Sequence, residues 1–446
     1  MLTNFFQWLG LSQNKKKLNK KGLERVVLSR SQHTISRKNI SRAALKVLYR
    51  LREQGFEAYL VGGGVRDLLL AQHPKDFDLA TNALPEEVYK LFRNSRMIGR
   101  RFRLVHVFFS GHIVEVATFR SPQMDTNEAD LLHSEEGMIL RDNIYGTLEE
   151  DVWRRDFTVN ALYYNISDFS VIDYVGGLKD LENRCLRMIG NAELRYREDP
   201  VRMLRAIRFA GKLGFSIHPE TEKPIYELGN LVRNVPAARL FEEFLKMFLT
   251  GHAVVNFQLL RHYELFKILF PKTEEALMGG NETFVQTFIL NALKNTDKRV
   301  MEEKPVAPPF LWATLLWYPV RLETRKRILS GTPELPALLE AIEMVLKEQQ
   351  KSIAIPKRFT RMIREIWILQ VRLAKRGGYR AKLLFSHARF RAAYDFLILR
   401  LESGEKELEP LVSWWTEYIN SDEETRLKMA DAVQASGPKG RRTRHH

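Results

Sequence analysis

Ala58-Tyr59-Leu60-Val61-Gly62-Gly63-Gly64-Val65-Arg66-Asp67-Leu68-Leu69-Leu70, followed shortly by Lys75-Asp76-Phe77-Asp78-Leu79, is the stretch on which the fold turns. Apolar residues run into three glycines and then into a helical pattern, which predicts strand, turn and helix. Glycines let a ligand approach the backbone, and successive N–H groups can point at an anion. A helix start adds the positive end of its dipole. The motif is neither Gly-x-Gly-x-x-Gly nor a P-loop, because no Gly-Lys-Ser/Thr follows. Gly62 and Gly63 are the expected phosphate cradle, although a tight structural turn alone explains three glycines almost as well. Arg66 is either an ordinary surface partner of Asp67 or a lock on Asp67 or a phosphate.

The acidic pair sharpens the reading. On a strand Asp76 and Asp78 share one face, with Cα atoms about 6.5–7 Å apart, and Phe77 points into a core. Two carboxylates so spaced can converge on metal ions, and a two-metal site stabilises the attacking and leaving oxygens of an in-line displacement. An isolated Asp-x-Asp is more often a solvated turn. Here the pair follows the glycine turn by about a dozen residues within one αβ unit, which favours chemistry. Two more carboxylates are candidates. Glu115 lies in the apolar run Ile113–Phe119, where a lone acid costs free energy unless it is paired or binds a cation. Asp156 lies in Arg154-Arg155-Asp156-Phe157-Thr158-Val159-Asn160-Ala161. A helix over 149–164 puts Asp156 and Asn160 on one face, with Arg155 beside them for phosphate or ribose. The alternatives are a salt-bridged strand residue for Glu115 and a structural Arg–Asp network for Asp156.

Outward from this stretch, the 446 residues suggest about three domains. Residues 1–40 read as a basic disordered arm, 41–178 as a small α/β head, 179–250 as a helical neck, 251–430 as a helical body and 431–446 as a basic disordered tail. In the head, 43–52 reads as a helix, 58–61 as a strand, 105–109 and 113–119 as a hairpin, and 171–174 as a strand. Beyond about 178 the periodicity is helical: 198–213, 219–232, 237–250, 254–268, 283–295, 335–349, 358–376 and 389–402. Pro305, Pro308 and Pro309 mark a break. The fold class is therefore α+β.

Net charge is +16, and clustered basic residues point to an anionic partner, nucleic acid first. The single cysteine, Cys185, excludes an intrachain disulfide and a Cys-based zinc site, and fits a reducing, cytoplasmic setting. The longest apolar run, Phe310–Val320, is well short of the ~20 residues of a spanning helix. No basic region precedes the N-terminal apolar stretch, so no secretory signal is expected. Leu2, Phe5, Phe6 and Leu9 have helical spacing before Lys15-Lys16-Lys17, which reads as a frayed terminus more than an interfacial helix.

The glycine run with Arg66-Asp67, the Asp76-Phe77-Asp78 pair and the Arg154–Ala161 block together resemble the head motifs of the class II nucleotidyltransferases. That superfamily holds bacterial poly(A) polymerases and CCA-adding enzymes on a polymerase-β-type head. Arg197-Glu198-Asp199-Pro200-Val201-Arg202-Met203-Leu204-Arg205-Ala206-Ile207-Arg208-Phe209-Ala210 resembles the neck motif. The resemblance implies that Asp199 and Arg202, three apart on a shared helix face, read the base edge. Ile98–Val107, Arg141–Thr147, Ile355–Phe359 and Arg389–Asp395 resemble the poly(A) polymerase branch. It implies template-independent AMP transfer from ATP to RNA 3′ ends, with pyrophosphate released and RNA decay promoted. Asp76 and Asp78 then hold two Mg²⁺ ions, with Asp156 or Glu115 as third carboxylate, Asp156 being favoured by its place in a motif block. Gly62, Gly63, Arg66, Arg155, Asn160, Asp199 and Arg202 hold the nucleotide.

Arg358, Arg361, Arg376, Arg389 and Arg391 lead a basic series interleaved with Trp367, Tyr379, Phe385 and Phe390. Charge for the backbone and π-faces for bases are what single-stranded RNA needs, although the aromatics read mainly as core. A monomer is expected. The family further implies association with an Sm-like RNA chaperone and the RNA decay machinery. The alternatives are a CCA-adding tRNA nucleotidyltransferase and, from another class, an RNA-binding adaptor with an inactive head.

Overall fold

The computed structural model describes residues 25–99, 103–121, 131–133, 139–142, 144–279 and 282–436. The chain divides into two compact units, Met1–Leu231 and Val232–His446. The stretch expected as a neck, 179–250, is thus shared between them.

The strands of the first unit are β1 (Val26–Leu28), β2 (Ala58–Val61), β3 (Asp78–Thr81), β4 (Ser95–Ile98), β5 (Leu104–Phe109), β6 (His112–Thr118), β7 (Leu131–His133), β8 (Ile139–Asp142), β9 (Leu162–Asn165), β10 (Val171–Asp173), β11 (Cys185–Leu186) and β12 (Ser216–Ile217). Eight build one mixed sheet in the order β1-β10-β9-β2-β3-β6-β5-β4, antiparallel except for the parallel pair β3 and β6. β7 pairs with β8, and β11 with β12. The expected hairpin is present, with its turn at Gly111 (φ +77°).

Three readings are corrected here. Residues 25–40, assigned to a disordered arm, supply edge strand β1 and the short 3-10 turns Arg30–Gln32 and Arg37–Asn39. Val26-Val27-Leu28 offers its backbone to the open edge of β10, and Ile35 and Ile40 are buried. The rest of that arm, 1–24, lies outside the described residues. Next, the helix expected over 149–164 covers only Leu148–Arg154. A Thr147/Glu150 capping box starts it. Past Arg155, the Asp156 carboxylate accepts from the Phe157 N–H, a local bond that competes with helix, and the chain enters β9 between β2 and β10. Finally, the helix expected over 198–213 is two, Ala192–Glu198 and Val201–Leu213, broken at Asp199-Pro200. A residue before proline is pushed out of the α region, and Asp199 sits at φ −150°, ψ 90°.

We number the helices of this unit α1 (Arg42–Glu53), α2 (Gly63–Leu69), α3 (Pro85–Leu91), α4 (Leu148–Arg154), α5 (Gly177–Glu182), α6 (Ala192–Glu198), α7 (Val201–Leu213) and α8 (Pro219–Leu228). Ser41 caps α1 by accepting from the Ala44 N–H, and Ala44, Val47, Leu48 and Leu51 bury one stripe of it.

Among its described residues, the regular elements of the second unit are all helices. The expected 254–268 segment splits at Glu264, which takes φ +58°. The proline break starts a long helix, Pro308–Leu329, with Pro308 and Pro309 in the first turn, where no N–H is needed. Phe310–Val320 lies inside it, so this apolar run belongs to a core: Trp312 packs on Phe244 at 4.3 Å and near Phe270. Helix Glu423–Ser436 enters the stretch expected as tail, and 437–446 lie outside the described residues. Among the described residues, no helix is long and apolar enough to cross a membrane.

Candidate active site

β2 leads into Gly62, whose φ of +72° and ψ of −132° suit glycine alone. A Cβ there would stand 3.5 Å from Arg155 Nη1 and 3.5 Å from the Asn160 carbonyl. The glycine turn is therefore seated against the Arg154–Ala161 block.

Strand register lays out the acids. Val61 lies opposite both Tyr163 and Asp78, Asp78 opposite Glu115, and Glu115 opposite His106. Residues directly opposite share a sheet face, so these five form one rung. Asp76 precedes β3 rather than lying on it, so strand alternation does not orient it as expected. The Asp78 carboxyl reaches solvent but is crowded on its protein side. Burial, then the charge of Glu115, push it up to about 6, against the pull of Arg155, with Asp76 adding to the push. His106 Nε2 lies 3.4 Å from Glu115 Oε2.

A carboxylate raised by burial and by the charges of its neighbours gains from a cation beside it, so the donor set fits a divalent metal. Among the described residues, no three His, Cys, Asp or Glu side chains already converge on one ion.

Arg155 supports the cradle. Its Nε and Nη2 donate to Asp151 Oδ2 at 3.2 and 3.0 Å, and Nε also to the Tyr163 hydroxyl at 2.6 Å. Tyr163 in turn donates to Asp151 at 2.6 Å. The fork is thereby fixed with Nη1 beside Gly62. Further guanidiniums gather nearby. Burial and the charges of Arg120, Arg195 and Arg202 lower Arg154 to about 9, and burial with Arg202 lowers Arg195 to about 10. Cations crowded enough to depress one another suit a polyanion such as a triphosphate. Arg120, Arg195, Asp151 and Tyr163 were missed by sequence reasoning. Only Asp151, four residues before Arg155 on a helix, carried a local signal.

Asp156 is tied to α7. Arg205 on α7 grips its Oδ2 with Nε at 2.8 Å and Nη2 at 2.5 Å, while Oδ1 accepts from the Phe157 N–H and from Asn160 Nδ2. Burial raises this carboxyl, but the Arg205 charge and these hydrogen bonds outweigh it and hold it down at about 2. Arg66 is likewise internal. It is buried, with Nε and Nη2 on Asp67 Oδ1 and Nη1 on Asn160 Oδ1. Lys212 stands 3.5 Å from Asp67 Oδ2. A polar chain, buried at Asp67, Arg66 and Asn160 and reaching solvent at Lys212, thus runs Lys212–Asp67–Arg66–Asn160–Asp156–Arg205 and ties the glycine helix α2 and the Arg154–Ala161 block to α7.

Asp199 and Arg202 do not share a helix, because Pro200 separates α6 from α7. They still meet at one junction. Asp199 is buried and accepts from the Val201 N–H at 3.3 Å, and Arg202 Nη1 donates to Glu198 Oε2 and the Arg195 carbonyl, both at 3.1 Å.

In the second unit, Arg361 pairs with Glu365, Arg389 also with Glu365, and Arg391 with Asp395. Arg358 lies over Phe359 and Arg376 over Trp414. Trp367 and Phe390 are core, while Tyr379 is exposed.

Family models match at three places: "Poly A polymerase head domain" over residues 58–187, "Probable RNA and SrmB- binding site of polymerase A" over 214–277, and "Polymerase A arginine-rich C-terminus" over 330–446. Poly(A) polymerase I of Escherichia coli O157:H7 is 51% identical over 424 residues, spanning 94% of this chain and 91% of that one. The CCA-adding enzyme of Lactobacillus gasseri is 39% identical but over only 49% of this chain and 52% of its own. Among solved structures, the Bacillus stearothermophilus CCA-adding enzyme in complex with CTP aligns with a TM-score of 0.53 at 25% identity, covering 89% of this chain and 88% of that one. The match in sequence to the Lactobacillus gasseri CCA-adding enzyme covers about half of the chain, whereas that to poly(A) polymerase I covers 94% of it and so runs through both units, and the chain belongs to the poly(A) polymerase I family of nucleotidyltransferases.

Proposed function

We propose that the chain extends RNA 3′ ends by template-independent transfer of AMP from ATP, releasing pyrophosphate. The observation that carries this reading is the rung joining Val61, at the mouth of the glycine turn, to Asp78 and Glu115. It sets paired carboxylates beside a backbone cradle with Arg155 Nη1 at its edge. Asp76 and Asp78 are the proposed ligands of two Mg²⁺ ions, and Glu115, in register with Asp78, is the third carboxylate. Magnesium, when bound, favours the ionised 3′-hydroxyl and offsets the charge of the departing pyrophosphate.

The protein's own residues do the positioning. The Gly62–Gly63 backbone and Arg155 hold the phosphates. Asp156, Asn160 and Arg66 brace the cradle against α7 instead of touching the reacting atoms. Asp199 and Arg202 select adenine, Arg202 through the Nε and Nη2 donors that its Glu198 contact leaves over. The arginines of the second unit hold the RNA strand. An Sm-like RNA chaperone and the decay machinery are the protein partners this role calls for.

Incubation with oligo(A), Mg²⁺ and each NTP singly tests the reading. Long tails with ATP alone are expected. Addition limited to C and A would identify tRNA CCA addition, and no extension an inactive RNA-binding adaptor. Asp78→Ala is expected to abolish AMP incorporation while RNA binding, followed by anisotropy, persists.

A further inference from the structure

The rung of acids occupies one face of the head's sheet. Tyr164, next to Tyr163 on β9, points to the other face and helps wall a groove of about 780 Å³ that the reaction does not use. Its cations are Arg30, Arg37, Lys38 and Arg42, with Tyr49 and Phe169 between them. Across residues 25–52 there are eight Lys and Arg and no Asp or Glu, so the basic lining has no counter-charge of its own. Among the described residues, no carboxylate pairs with these four cations. Asp168, in the same turn as Phe169, is engaged by the N–H and hydroxyl of Ser170. The second unit differs, since Arg361, Arg389 and Arg391 are each paired with an acid.

The groove is built rather than incidental. Arg37 lies over the Phe169 ring at 4.6 Å and donates to the Tyr49 hydroxyl at 2.8 Å. His33 accepts at Nδ1 from the Ile35 N–H and donates from Nε2 to the Phe169 carbonyl at 2.7 Å, pinning the 30–40 strap to the β9–β10 turn. Phe169 itself is held at φ +61°, a left-handed conformation that a bulky residue adopts only when its surroundings impose it. Four uncompensated cations around a stacked guanidinium and aromatic rings fit a nucleic acid strand. An interfacial membrane contact needs exposed apolar side chains, and none of the large ones that are exposed lines this groove.

We propose that this groove is a second RNA-binding site, which takes the phosphates of a single-stranded stretch of the RNA being extended, on the sheet face opposite the carboxylates. It rests on RNA being the substrate, and it adds affinity for long RNA without entering the chemistry. The test uses the full chain carrying Asp78→Asn, so that binding is read without reaction, with and without Arg30→Gln, Lys38→Gln and Arg42→Gln. These three side chains are exposed, so an unchanged melting temperature checks folding. For an oligo(A) of ~30 nucleotides, affinity should fall about tenfold, and the slope of log affinity against log salt should become shallower by about 2, at ~0.7 per phosphate released. Arg37→Lys, which keeps charge but loses the stacked plane, should give a smaller loss. With Asp78 intact, AMP addition to a primer of ~5 nucleotides, within one single-strand site size, should be unchanged. Unchanged affinity and salt slope would overturn the proposal. So would an equal loss with the short primer, or loss of binding to phosphatidylglycerol vesicles while RNA affinity stays intact. Because binding is measured on a form without chemistry, failure of AMP transfer in the parent chain and failure of the groove are separate results.

Discussion

At the residue scale, the two best-placed aspartates have opposite electrostatics and therefore opposite predictions. Asp156 lies below its unfolded value of 3.8, at about 2. Its ionised form is bound more strongly in the folded state, so its contribution is complete above about pH 4 and is lost as pH falls through 2. Urea unfolding between pH 5 and 2 should show the parent protein losing stability more steeply than Asp156→Asn. Arg205→Ala leaves this carboxylate buried without its partner, which costs on the order of 3–5 kcal/mol. Equilibrium denaturation at pH 7 measures it. Asp78 lies above its unfolded value, at about 6. It favours folding only while protonated, and that advantage goes as pH rises through 6. In metal-free buffer at pH 8, Asp78→Asn should therefore melt higher than the parent, and on the role proposed for Asp78 it should at the same time lose AMP transfer.

At the element scale, Gly177, at the start of α5, is the glycine of the described residues that stands nearest to another segment's backbone. A Cβ there would stand 2.2 Å from the Thr158 carbonyl, a backbone atom that cannot swing aside. Thr158 begins the 3-10 turn that ends at Asn160, and its hydroxyl donates to Asp180 on α5. Gly177→Ala should cost about 1–3 kcal/mol as an overpacked contact. Because the same turn presents Asn160 to Arg66, the substitution should also lower kcat more than it raises KM for ATP. Chemical denaturation and steady-state kinetics on one preparation separate these effects. A loss of stability with kcat unchanged would show that the turn does not transmit to the site.

At the scale of the whole molecule, a net charge of +16 sets how the chain meets RNA. Affinity for oligo(A) should fall linearly on logarithmic axes with salt, by ~0.7 per phosphate neutralised. A salt-insensitive affinity would show that the basic surface does not carry binding. Arginines do not count equally in that slope. Arg391 is already paired with Asp395, so its replacement by Gln should change the slope less than replacement of Arg358, which faces an aromatic ring.

The local grammar of this protein was legible in its residues alone. The strand, glycine turn and helix over 58–69, the hairpin at 105–118 and the helical character beyond 178 follow from periodicity and turn chemistry, which act over a few neighbours. Glu115 stood out as a candidate in the same way, because a carboxylate in an apolar strand announces a cost that something must offset. Tertiary structure alone decided which acids meet. Glu115 stands beside Asp78 because β6 runs parallel to β3 in one register, although 37 residues separate them in the chain. Asp156 is held by Arg205 from a helix 49 residues on. Sequence spacing also could not foresee that Val26–Leu28 closes a sheet edge, or that the strap after it walls a basic groove. Strand pairing and ion pairing are contacts at long separation. Their partners are chosen by register and packing, and neither leaves a mark in the neighbouring residues.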